Sequence, residues 1–344
     1  MQLKREELLH ALNTIKPGLA VRSVIAQMEN ATFTGEDLIA YNDQICVLFP
    51  FQTDFEASVK FDDLYKIVSK IPTEDLELNV VENELQIATE STKAGLSLSM
   101  EDEIANSVQS IIDQMPNAEN GLTWQELFPE FREGALLCIP AAESDTSKGV
   151  LACLYANNND LICSDNRRVS WFELKNSLNS EFFIKATTIK EFAQFDFTFF
   201  CVSESWIHFR MNNGAIFSTK LIRGKGLEYF KKVFDGFEEK EVELPENLRE
   251  IIDAASVMAD DKDEKRMRIE FRGDEVVCST RSARGWIEKI TKVDYGNKAP
   301  IEFRVDAKML QSLMVSPMTM RLGENKSLFS NGQFKHVLIH LIGD

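Results

Sequence analysis

Within residues 59–71, VKFDDLYKIVSKI, the apolar positions change period part-way along. Val59 and Phe61 alternate with polar neighbours, as on a strand, whereas Leu64, Ile67, Val68 and Ile71 follow the three-and-four spacing of one helix face. The stretch predicts a strand that runs directly into a short amphipathic helix. The pattern returns at residues 184–195, IKATTIKEFAQF, and at residues 305–314, VDAKMLQSLM, after intervals of 125 and 121 residues. Solenoid repeats have periods of roughly 20 to 50 residues, so a period this long marks repeated domains. The chain divides accordingly into residues 1–121, 122–244 and 245–344.

Each repeat carries the same order of elements. In the first, residues 3–16 form a helix with Leu8, Leu12 and Ile15 on one stripe, ended by Pro17 and Gly18. Two strands follow in residues 31–50, turning at Gly35 and near Asn42-Asp43. The helix of residues 59–71 comes next, then LELNVVENELQIA and GLSLSM, with a turn at Glu82-Asn83. Residues 101–121 read as a linker containing a short helix. The later repeats place helices at residues 130–138, 187–193, 246–258 and 307–314, with Pro245 suited to a first turn. Their hairpins align internally as DLIAYND, DLICSDN and EVVCSTR. The fold class is α+β, each repeat laying two helices on one face of a mostly antiparallel sheet. A row of such units leaves an unpaired strand edge at either end, which head-to-tail pairing with a second copy would close into a ring. Such a ring has its helices inside.

Charge narrows the partners. The chain carries −17 overall: residues 1–121 hold 8 basic against 21 acidic side chains, residues 122–244 hold 14 against 18, and residues 245–344 hold 16 of each. A chain this acidic does not suit a protein that grips nucleic acid tightly by phosphate neutralisation. It remains compatible with one that surrounds nucleic acid with basic groups on a single face. The six cysteines lack CxxC spacing and lie in apolar runs, which favours buried thiols in a reducing compartment. No apolar run reaches membrane-helix length and the N-terminus reads as an amphipathic helix, so a cytoplasmic protein without membrane attachment is expected.

Catalytic chemistry finds no foothold. Asp62-Asp63, at a helix start, suit capping and the helix dipole better than a metal. The four histidines form no metal or triad signature; His336 and His340, four apart in a strand, share a face and suit core or surface positions. No GxGxxG or Walker loop occurs. No catalytic residue, metal or cofactor is expected.

The order of elements, the triple repeat and two local stretches, LICSDNRRV at residues 161–169 and LREIIDAASVMA at residues 248–259, together resemble the bacterial and phage sliding clamp, the beta subunit of DNA polymerase III. That family forms homodimeric rings with three repeated domains per chain. The resemblance spans the whole chain, and its divergence from cellular members suggests a phage-type one, acting in a bacterial or phage-infected cytoplasm.

The resemblance implies a pocket for short linear motifs of polymerase and clamp loader, between the second and third domains. It maps to Leu161, Ser164, Asn166, Arg167, Arg168 and Val169, then Lys232 and Val233, then Val337, Ile339 and Leu341. Asn166 replaces the family's usual Gly, Arg167 its His or aromatic residue, and IHLIGD its usual ending. Asn tolerates the left-handed backbone such a turn requires. Apolar residues with a basic rim suit a motif carrying Leu or Phe and an acidic residue; the same residues also suit interdomain packing. Leu96 and Leu98, with Val257 and Met258, match the family's dimer contact. Double-stranded DNA would pass through the ring without sequence readout, facing Lys4, Arg5, Arg22, Lys66, Lys70, Arg132, Lys190, Arg249 and Lys308. Two functions stay open: a processivity clamp, or a clamp-fold interaction scaffold without the DNA role, which the acidic first repeat would suit.

Overall fold

The computed structural model describes residues 1–20, 25–99, 104–226, 228–259, 266–295, 300–314 and 317–341. The seven helices among them are α1 (Arg5–Ile15), α2 (Phe61–Lys70), α3 (Ala105–Ile112), α4 (Pro129–Cys138), α5 (Ala186–Phe192), α6 (Leu248–Ser256) and α7 (Ala307–Leu313). All strand pairing recorded between the described strands is antiparallel. The chain divides into two compact units, residues 1–128 with 191–221, and residues 129–190 with 222–344. The residues of the second sequence repeat are therefore shared between them.

In the first unit, the stripe read from sequence forms the buried side of α1, where Leu8, Leu12 and Ile15 are fully enclosed. Gly18 ends the following turn because a Cβ there would lie 2.5 Å from the Ala40 carbonyl oxygen, and backbone cannot yield. In α2, Leu64 and Val68 are fully buried while Lys66 and Lys70 are exposed. Asp62 and Asp63 occupy its first turn, where they complement the helix dipole, but no side chain caps α2. The corresponding helix α7 does have a cap: Asp306 accepts from the amides of Lys308 at 2.8 Å and Met309 at 3.1 Å.

A four-stranded sheet runs in the spatial order Gln2–Lys4, Asp75–Val81, Glu84–Ala88, Lys93–Ser97. The other sheet of this unit has eight strands, because the strand Ile45–Pro50, at the edge of the first hairpin, pairs with Ile216–Lys220. The single sheet per repeat expected from sequence is thus replaced by strands split between two sheets. An apolar hairpin edge stays unsatisfied within its own repeat, and a partner from the next completes its backbone bonds. The stretch read as a linker is also more than that. Ile104, Val108, Ile111 and Met115, on and beside α3, bury against Ile39, Tyr41, Cys46, Leu48 and Trp206. Phe192, Phe195, Phe197, Phe209 and Phe217 close the other part of this core, with neighbouring ring centres 4.5 to 6.1 Å apart.

The second unit follows the same plan. Its eight-stranded sheet runs Glu181–Lys185, Cys153–Asn157, Asp160–Ser164, Arg168–Glu173, Phe334–Ile339, Lys326–Asn331, Thr319–Leu322, Val242–Glu243. Helix α4 packs closely on one face at Gly134, where a Cβ would stand 2.4 Å from the Phe172 ring. The four-stranded sheet runs Gly285–Lys292, Glu275–Ser282, Arg266–Arg272, Ile301–Asp306. Helices α6 and α7 pack together, tied by Gln311 Nε2 donating to Asp253 Oδ1 at 2.6 Å.

All six cysteines are buried. Desolvation pushes their thiols up, to about 12 at Cys46 and Cys278, so they pack as small apolar groups. Among the described residues, no helix is long and apolar enough to cross a membrane.

Candidate functional site

The residues singled out from the stretch LICSDNRRV gather around one tight turn of the second unit. Strands Asp160–Ser164 and Arg168–Glu173 are joined through Asn166, whose φ of +68° is the left-handed conformation anticipated for it. Asp165 Oδ1 accepts from the amides of Arg167 at 3.0 Å and Arg168 at 3.1 Å, and its other oxygen from Arg168 Nε at 2.9 Å. Ser164 Oγ donates to the Arg168 carbonyl at 3.0 Å and accepts from the Asn166 amide at 3.2 Å. Arg168 then reaches α7, donating to Ser312 Oγ at 2.9 Å. It is thus a strut of the turn, leaving Arg167 exposed at the tip.

Beyond the turn, Val169 stands opposite Val337, both buried. The Ile339 amide donates to the Arg167 carbonyl at 3.0 Å, and its side chain remains 42% exposed, unusual for isoleucine. Val233, on the 3-10 segment Glu228–Phe234, packs on the cluster of Val169, Tyr155, Ile162 and Phe183. Lys232 beside it is exposed, and Leu341 is held by its amide to the Arg304 carbonyl at 2.8 Å. Leu161 belongs elsewhere. Its cross-strand neighbour is Phe172, which packs on α4, so Leu161 lies in the fully buried helix-side core.

Sequence reasoning passed over Trp171, Phe234 and Lys335, although Trp171 lies two positions after Val169 and so on the same strand face. Lys335 stands directly opposite Trp171.

Of the candidate DNA-facing residues, Lys66, Lys70, Arg132, Lys190, Arg249 and Lys308 are all exposed on helices. Lys4 lies on the first strand and pairs with Glu74 at 3.3 Å and Asp75 at 2.7 Å. Arg5 is half-buried and donates to the Ile71 carbonyl at 2.9 Å, tying α1 to the end of α2. Arg22 lies outside the described residues.

Leu96 lies on Lys93–Ser97, the edge strand of the first four-stranded sheet, and Leu98 directly follows it; both are half-buried. Val257, 65% exposed, and Met258, half-buried, follow α6. Not singled out from sequence were Trp286 (65% exposed) and Ile290 (46%) on Gly285–Lys292, the edge strand of the other four-stranded sheet.

The two histidines of the last strand region occupy separate niches. His336 Nδ1 is hydrogen-bonded to Ser170 Oγ at 2.7 Å, while its buried Nε2 has no partner. His340 stacks on Phe303 at 4.4 Å and bonds Ser327 Oγ at 2.7 Å. Among the described residues, no group of three metal-ligating side chains is assembled. Burial lowers the pKa of His336 to about 3 and that of His208 to about 4. Both folded values lie below the unfolded 6.5, so the unfolded chain binds protons first as pH falls. Stability is therefore unaffected by them above pH 6.5 and declines below it, until about pH 4 for His208 and about pH 3 for His336. Each contributes a slope of about 1.4 kcal/mol per pH unit. Urea midpoints should hold between pH 8 and 7 and fall clearly by pH 5; a midpoint unchanged at pH 5 would refute this.

No family model matches this sequence, and no curated protein sequence matches it either. Solved structures do. The DNA polymerase III subunit beta of Pseudomonas aeruginosa superposes with a TM-score of 0.82 at 17% identity, covering 99% of both chains. The beta chain from Streptococcus pneumoniae TIGR4 gives 0.84 at 15% identity, again over 99% of both. A Bartonella birtlesii sliding clamp bound to griselimycin gives 0.83 at 15%, over 100% of this chain and 99% of that one. The fold is that of the DNA sliding clamps. In this clamp fold the turn at Asn166 and the segment Glu228–Phe234 belong to one compact unit, so the candidate pocket is assembled within it.

Proposed function

We propose that this protein is a DNA sliding clamp of the DNA polymerase III beta type, a non-catalytic processivity factor. Two copies close head to tail into a ring around duplex DNA, each contributing three modules, residues 1–121, 122–244 and 245–344. The full-length correspondence to clamp structures carries this reading. The open edges at Lys93–Ser97 and Gly285–Lys292 support the closure, since strands of this kind in soluble proteins are paired or covered. Exposed lysines and arginines on the helices face DNA through non-specific, long-range contacts, as sliding requires. The surface around Val169, Val337, Ile339 and Val233, rimmed by Arg167 and Lys232, takes a short Leu- or Phe-containing acidic motif of a polymerase or clamp loader. The chain works in the cytoplasm of a bacterium or phage-infected cell, and its distance in sequence from cellular clamps fits a phage-type member.

The acidic excess in residues 1–121, 21 acidic against 8 basic side chains, favours one other reading: an interaction scaffold that keeps the fold without encircling DNA. Retention on DNA separates the two. Once loaded on nicked circular duplex, a clamp stays bound through gel filtration and is lost when the circle is linearised. A scaffold is not retained on the circle at all, and that result would overturn the proposal.

A further inference from the structure

On the sheet face away from α4, a cleft of about 1130 Å³ continues from the candidate motif pocket. The two adjoin: Lys232 belongs to both, and Leu328 of the cleft stands opposite Val337 of the pocket. Along the cleft runs a single cross-strand row. Trp171 is opposite Lys335, Lys335 opposite Ser330, Ser330 opposite Thr319, and Thr319 opposite Glu243. Cross-strand neighbours project on the same side, so these five side chains form one line. Five strands about 4.8 Å apart make it roughly 19 Å long.

The line is graded in charge. At one end Trp171 is fixed by its Nε1 donating to Asp160 at 2.8 Å and by Phe234 packed edge-on at 5.3 Å. Lys335 Nζ sits 4.3 Å and Lys231 Nζ 5.0 Å from its ring centre. Lys231 is paired with Asp160, whereas Lys335 makes no ion pair with a described carboxylate. The middle offers hydroxyls. At the far end Glu243 and Glu246 are exposed, and Glu241 holds Arg321 through a hydrogen bond of 2.8 Å from Arg321 Nε.

We propose that this cleft is a second docking site for the motif-bearing partner, occupied by an extended segment flanking the motif. A segment of about six residues spans roughly 19 Å. It places an acidic residue by Lys335 and Trp171, small or hydroxyl residues over Ser330 and Thr319, and a basic residue by Glu243 and Glu246. The gradient sets the direction of the chain as well as adding affinity. A nucleic-acid strand fits poorly, because its phosphates carry the same charge along their whole length and would meet the glutamates. This site rests on the reading of the neighbouring surface as a motif pocket.

The test measures fluorescence anisotropy of labelled peptides with the full-length protein. One peptide carries only a Leu- and Phe-containing acidic motif. The others add, on either side, six residues graded acidic to basic or basic to acidic. One graded extension should tighten binding about tenfold, and the Lys335→Glu, Glu243→Lys double exchange should shift the preference to the opposite gradient. Lys335→Gln, which adds no charge, should remove most of the gain without changing affinity for the short motif. Equal binding of short and extended peptides would overturn the second site while leaving the pocket intact. No binding of the short motif would overturn the pocket and the flanking site with it. Competition by single-stranded oligothymidylate that is abolished by Lys335→Glu would instead assign the cleft to nucleic acid and overturn the proposal.

Discussion

Leu98→Asp should convert the protein from dimer to monomer at micromolar concentration, and Trp286→Asp should do the same from the other surface. Leu98 directly follows the edge strand Lys93–Ser97, and its amide is anchored to the Asn83 carbonyl at 2.9 Å. Trp286 lies on Gly285–Lys292, the edge strand of the second unit's four-stranded sheet, with Ile290 on the same face and both more than 40% exposed. Burying a new carboxylate in such an apolar contact costs about 2 to 3 kcal/mol. A closed ring has two such contacts and carries the substitution in both, so the cost is about 4 to 6 kcal/mol and association weakens roughly a thousand- to ten-thousandfold. Sedimentation velocity at micromolar concentration reads the change directly. If the unmodified protein sediments as a monomer and Leu98→Asp leaves its mass unaltered, ring closure is lost as an explanation of the fold. Circular dichroism should not differ, since neither side chain belongs to a buried core, and the melting temperature should fall only by what association contributed.

The second large effect is expected from Lys66→Glu with Lys70→Glu. These residues are four apart on α2, opposite Leu64 and Val68, so both project from the exposed side of the helix. If the protein encircles DNA as proposed, reversing them removes two cations that would face phosphate and adds two repulsive charges. Each lost contact lowers the salt slope of binding by about 0.9, so the pair should flatten it by about 2. Retention on an open-ended primer-template at low salt should fall about tenfold or more, while the difference between 50 and 200 mM salt shrinks. Unchanged retention with an unchanged slope would remove these lysines from the DNA-facing surface. The buried face of α2 is untouched, so circular dichroism should not differ.

The helices and hairpins were legible because each depends on neighbours within a dozen residues. The stripe of Leu8, Leu12 and Ile15 needs only the helical period, and the turn at Asn166 needs only a residue that tolerates a positive φ. The triple repeat supplied the α+β plan by internal comparison. Distant pairing escaped the local pattern, and only the resemblance grouped residues 161–169 with 337–341. Nothing local states that Ile45–Pro50 bonds to Ile216–Lys220 or that Arg168–Glu173 bonds to Phe334–Ile339. The same blindness affects the candidate site. Alternation shows that Val169 and Trp171 share a face and Leu161 does not, but which face is open depends on where α4 packs. The open edge beneath Trp286 was invisible because an exposed tryptophan in a strand reads like core.

The long-range pairing also governs how the molecule is made. The strand Ile45–Pro50 acquires its partner only after about 170 further residues have been synthesised, and Arg168–Glu173 waits a comparable length for Phe334–Ile339. Until then each nascent sheet has an apolar edge that nothing covers. Non-local contacts of this span fold slowly, and uncovered edges recruit other chains. A ribosome-bound chain halted after the first repeat would expose Val47 and Leu48 beside an incomplete ladder. Final closure of the second sheet comes only when Val337 arrives, so folding of both units is gated by translation of residues far downstream.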